Sequence, residues 1–170
     1  MRTIKFVFII SFLLTISLAS AQNLKFGHIN SQQLISELPE YLSAMTTLEN
    51  EAKVLQDRRD IMQQEAQQKY TEYLTQREDM PELVRATLEK EIQDLQGRME
   101  NYDLLAQQTM GKKQQDLLIP IMEKIQKAIE DVGAENGFIY IFDVSTQIVL
   151  HHSEQSVDCL DLVKKKLGVN

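Results

Sequence analysis

From Tyr41 onward, apolar positions recur in alternating steps of four and three. Tyr41, Met45, Leu48, Ala52, Leu55, Arg59, Met62, Ala66, Lys69 and Tyr73 trace a heptad seam, the signature of a helix packed against another helix. Arg59 and Lys69 interrupt it with charge. A second seam runs through Leu88, Ile92, Leu95, Met99, Tyr102 and Ala106, slips near Gly111, and resumes as Leu118, Ile121, Ile125, Ala128 and Val132. Such a slip changes the local winding of a coiled coil. Between Glu40 and Val132 the only glycines are Gly97 and Gly111, and Gln, Glu, Leu, Ala and Lys dominate. These are good helix formers.

Pro81 stands between the seams. A proline cannot continue a helix, because it lacks the N–H and its ring clashes with the preceding turn. It is tolerated in a first turn, and Asp79-Met80-Pro81-Glu82 has the form of a capping box. The spacing predicts one helix ending near Glu78 and a second beginning near Met80, folded back as an antiparallel hairpin with its tip near 79–82. At about 1.5 Å per residue, about 38 residues give an arm roughly 55 Å long. The alternative is a single kinked rod. Two facing seams favour the hairpin, which supplies each with a partner.

The ends of the chain follow a different rhythm. Leu24–Ile29 is a short strand candidate, and Phe138–Asp143 is a strongly β-prone run. After a turn at Val144-Ser145-Thr146, residues Gln147 to His151 read as a second strand, giving a β-hairpin. A closing helix is expected from Ser156 to Leu167, with Lys164, Lys165 and Lys166 in its last turn, where the helix dipole favours cations. Few short strands make a poor independent sheet, so other copies of the chain are expected to complete it. The fold class is therefore α+β: a long antiparallel helical hairpin, a coiled-coil arm, projecting from a small β body completed by oligomerisation. The expected parts are body over 22–38, arm over 39–118, and body again over 119–170.

Residues 1–21 read as a cleaved secretory signal peptide. Arg2 and Lys5 precede the apolar run Phe6–Leu18 and the small-residue step Ala19-Ser20-Ala21. The run is too short to span a bilayer, and no cysteine near the cut suggests a lipid anchor. The mature chain is expected to begin at Gln22 and to be soluble outside the cytoplasm, with no stable membrane insertion. Loss of two basic residues leaves 16 Lys+Arg against 25 Asp+Glu, a net charge of −9. That argues against nucleic acid and anionic membrane as partners. The one cysteine, Cys159, excludes an internal disulfide and reads as a small buried thiol.

Enzymatic readings find no support. His151 and His152 are adjacent on an expected strand, so their rings point to opposite faces, and His28 is distant in sequence. There is no HExxH spacing, cysteine cluster, G-x-S-x-G, P-loop or phosphate-cradling glycine loop. No cofactor or metal is expected.

The order of parts resembles the periplasmic Skp or OmpH-like chaperone family across nearly the whole mature chain. The resemblance is carried by FGHINSQQLISELPEY at 26–41 and LLIPIMEKIQKAIEDVGAENGFIYIFDVSTQIVLHH at 117–152, with Pro120, Glu123-Lys124-Ile125 and Gly137 within it. It implies a homotrimer whose strands form a central body, with three helical hairpins around a cavity. There, without ATP, it would hold unfolded outer-membrane proteins. Phe26, Ile29, Phe138, Tyr140, Phe142 and Val149 are expected to build the oligomer body. Apolar residues near the arm tip, Tyr70, Tyr73, Leu74, Met80, Leu83 and Val84, are the candidate client contacts, set against the plainer reading that they only hold the hairpin together. Two departures stand out. Residues 40–118 carry ten Lys/Arg and sixteen Asp/Glu, whereas well-known members have basic arms. The hydroxyl that often enters the last helix is missing around Asp158. The competing reading is a non-chaperone trimeric coiled coil with a structural or adaptor role in the envelope.

Overall fold

The computed structural model describes residues 24–169, apart from residue 147; the expected signal peptide lies outside the described residues. The elements are β1 (Lys25–Ile29), α1 (Ser31–Glu37), α2 (Pro39–Gln76), α3 (Glu82–Asn136), β2 (Phe138–Asp143), β3 (Val157–Asp158) and α4 (Leu160–Leu167). The fold is α+β, with two long helices and a small sheet built from the two ends of the chain.

Local chemistry sets the boundaries. Asn30 caps α1 by accepting from the Gln33 N–H at 2.9 Å. Leu38 is a one-residue link, and Pro39 opens α2 at the first position, where its missing N–H costs nothing. Gly137, at φ 68°, ends α3 in a left-handed conformation open to glycine. The tip turn spans 77–81, within two residues of the expected boundaries. The capping box does not form. Pro81 itself is the N-cap residue, without a side-chain bond, and its carbonyl accepts from Arg85 at 3.1 Å. The Asp79 N–H instead donates to the Gln76 carbonyl at 3.0 Å, closing the turn.

The sheet has the order β2-β1-β3, and both pairings are parallel. The β-hairpin expected over 137–152 is absent. Residues 148–153 hold no strand, and β2 pairs with β1. The reason is topological. The chain leaves β1, runs out along α2 and returns along α3, so the whole arm is the crossover that delivers β2 parallel to β1. The second edge of β1 is taken by Val157–Asp158. That shortens the closing helix, expected from Ser156, to Leu160–Leu167. Cys159 becomes its N-cap residue, while Asp158 still accepts from the Leu160 N–H at 2.9 Å.

A bulge between Lys25 and Phe26 skips Ile139 in the register. It keeps Phe138 and Ile141 on the helix-facing side with Gly27, and sends Tyr140 and Phe142 to the other side with Phe26. The body core joins Ile29, Leu34, Leu38 and Ala44 to Ile121, Ile125, Ala128 and Val132 of α3 and to Cys159 and Val163. Further out, Leu48, Met62, Leu88 and Leu95 are buried between the two arm helices. Among the described residues, no helix is long and apolar enough to cross a membrane.

Candidate functional site

Beside the buried apolar residues, polar rungs join the arm helices. Lys124 meets Glu40 at 2.6 Å, Lys113 meets Glu51, Arg59 meets Asp103 at 2.9 Å, and Lys69 meets Glu91 at 2.6 Å. Tyr73 donates its hydroxyl to Glu89 at 2.8 Å, and Tyr102 donates to the Leu55 carbonyl at 3.0 Å. The pairs nest about Pro81, as an antiparallel hairpin requires. Arg59 and Lys69, which break the seam in the sequence, are thus its cross-links. The hydrogen bond to Glu91 holds the Lys69 ammonium above its usual range, and the bond to Glu89 does the same for the Tyr73 phenol. Each exposed rung adds little on its own; together they fix the register.

Mid-shaft, the seam narrows to Ala52 and Ala106. The space between the helices there is a groove of about 400 Å³, lined also by Leu55, Tyr102 and Met110. Large apolar side chains point away from the seam. Leu42, Met45, Ile119 and Met122 are exposed at the arm root, and Val54, Ile61, Leu104 and Leu105 along the shaft. Sequence reading concentrated on the tip and missed these. All but Met45, which the seam had claimed, are large apolar residues off the seam.

At the tip, Leu83 is 79% exposed, and Tyr70, Leu74 and Val84 are also open to solvent. Leu83 and Val84 line a groove of about 440 Å³ with Lys69, Glu72 and Thr87. Tyr73 and Met80 are half-buried, and Tyr73 is tied into the hairpin by Glu89. The six tip residues therefore divide into four that offer apolar surface and two that face their own arm.

The body residues divide in the same way. Phe26, Tyr140 and Phe142 form an exposed aromatic stack on the outer sheet face, with ring centroids 6.4 Å and 5.6 Å apart. Ile29 is 2% exposed and Phe138 packs against the same interior, so both serve the chain's own core. Val149 lines a cavity of about 400 Å³ over the outer face. His28, His151 and His152 line that same cavity. The expectation that His151 and His152 face opposite ways fails because their segment is not a strand. Among the described residues, no group of three or more His, Cys, Asp or Glu is arranged to hold a metal ion.

Two groups anchor the body. Burial pushes the Asp143 carboxyl up, but hydrogen bonds from the Ser31 and Ser145 side chains and backbone N–H groups outweigh it and hold the carboxyl below its usual range. Burial, helped by the Asp158 charge, pushes the Cys159 thiol up.

A search of the curated proteins finds no match. The model of the OmpH-like outer membrane protein family matches residues 25–167, from the first residue of β1 to the last of α4. With a sheet built from both chain ends and a long helical hairpin between them, the chain belongs to the OmpH-like outer membrane protein family.

Proposed function

We propose that this protein is an ATP-independent periplasmic holdase, a non-enzymatic chaperone that holds unfolded outer-membrane proteins between its helical arms. The observation that carries the reading is the division of labour along the arm. A buried seam and polar rungs close the hairpin, and large apolar side chains remain exposed on its outside from root to tip. Unfolded barrel proteins expose aggregation-prone strands that need cover. Scattered Met, Leu, Ile and Tyr side chains cover many sequences through weak, distributed contacts.

The working form is a homo-oligomer, a trimer by family resemblance. A parallel sheet is ordinarily covered on both faces. Here the outer face carries Phe26, Tyr140 and Phe142 in the open, which supports burial against other copies. Signal-directed export places the mature chain in the periplasm. The acidic arms leave apolar contact, rather than charge attraction, as the main source of affinity.

The tip gives a direct test. A fluorescently labelled, urea-unfolded outer-membrane barrel is titrated with the chain of residues 22–170 in the absence of ATP. The double variant Leu83→Ser, Val84→Ser, which removes two exposed apolar side chains of the tip, is expected to bind about tenfold more weakly, which is about 1.4 kcal/mol, with its oligomeric state unchanged. Equal affinity removes the tip from the contact surface. No binding by the unaltered chain transfers the weight to a structural or adaptor role.

A further inference from the structure

We infer that His28 and His152 form an acid-released latch that holds the segment 148–156 over the outer face of the sheet. His28 projects from β1, and the His152 ring stacks on it with centroids 4.0 Å apart and planes 24° from parallel. His28 Nδ1 is also hydrogen-bonded to the Ser156 hydroxyl at 2.9 Å. Both side-chain attachments at this end of the segment thus converge on one imidazole. Among the described residues the segment has no strand partner, and Ile148 and Leu150 are exposed on it. Beneath it lies the cavity floored by Phe26 and Phe142.

Imidazole is the side chain that gains charge in mildly acidic solution. Stacking tolerates one charged ring; two charged rings at this separation repel unless an anion lies between them. No carboxylate lines the cavity that holds the rings. Asp158, beside His28 in the β1–β3 register, keeps its charge but is not part of that lining, and its Oδ1 accepts from the Leu160 N–H. Lys25, on the same strand, is positive and bonds to the Asn136 carbonyl. β2 contributes uncharged Phe142, and the segment adds His151, a third imidazole. Glu154, also on the segment, does not line the cavity. Among the described residues, no histidine takes part in an ion pair. Protonation of both rings therefore opens the stack, frees the segment and opens the cavity between it and Phe26 and Phe142. This device is independent of client binding, because it is confined to the body.

Hydrogen exchange read by mass spectrometry on residues 22–170 tests it. Protection of the 148–156 amides is expected to fall about tenfold or more between about pH 7.5 and about pH 5, after correction for intrinsic exchange. In His152→Phe, which keeps a stacking ring without the charge, the fall should be less than about twofold. His28→Phe gives the reciprocal check, in case one variant folds poorly. A flat profile in the unaltered chain overturns the latch. So does an equal response in the chain and a folded variant.

Discussion

Gly27 has no room for a side chain. A Cβ there would lie 2.6 Å from Cys159 Sγ and 3.2 Å from both Ile141 and Phe138. Gly27→Ala should therefore destabilise the fold by about 1–3 kcal/mol, the usual cost of overpacking, read as a shift in the urea midpoint. Removing the sulfur relieves the closest clash. The double variant Gly27→Ala, Cys159→Ala should lose less than the two single losses added, by about 0.5 kcal/mol or more. Strict additivity would show that the sulfur is not what excludes the methyl. Asp143 yields a pH prediction. Its folded carboxyl sits below its usual range, so its contribution is present above the unfolded carboxylate range and is lost as pH falls through the folded value. Asp143→Asn should flatten the acid limb of stability against pH; parallel limbs would contradict the hydrogen-bonded anchor. Cys159 was legible as a buried thiol. Its contact with Gly27 was not, because it depends on β3 pairing with β1 from the far end of the chain.

At the scale of elements, the helices were legible and the sheet only partly so. A three-four repeat is local, and with Pro81 it identified both arm helices, their ends at the tip within two residues and most of their buried side chains. On α2, Met45 and Ala52 of the expected seam are exposed, and Ala44, beside Met45, is buried instead. Phe138–Asp143 was legible from β-propensity. Gln147 to His151 has similar composition, but propensity does not say whether a partner edge is within reach, and β1 is already occupied on both sides. Nor does spacing reveal that the arm is a crossover, which decides parallel over antiparallel. Pro120 sits inside α3, exposed, where it cannot donate to the carbonyl four residues back. Pro120→Ala should therefore raise stability by about 1–3 kcal/mol, visible as a higher melting temperature. An unchanged or lower value would mean that the proline sets a bend the body packing needs.

At the scale of the molecule, and among the described residues, two surfaces are left without partners: the aromatic sheet face and the apolar positions on the outside of the arm. The sheet face was partly legible, since Phe26, Tyr140 and Phe142 were singled out, while Ile29 and Phe138 belong to the chain's own core. The arm surface was legible only at the tip; the root and shaft residues follow once the hairpin register is known. If the sheet face joins copies, Tyr140→Ser should lower the oligomer mass in light scattering at micromolar concentration, and an unchanged mass would exclude that face. The central claim is that the free arm surface shields unfolded barrel proteins. The measurement is turbidity as a urea-unfolded outer-membrane barrel protein is diluted, with and without residues 22–170, and without ATP. Suppression saturating at about one trimer per client is expected. Turbidity that rises as fast as in the control, with the chain folded and oligomeric, would contradict the account.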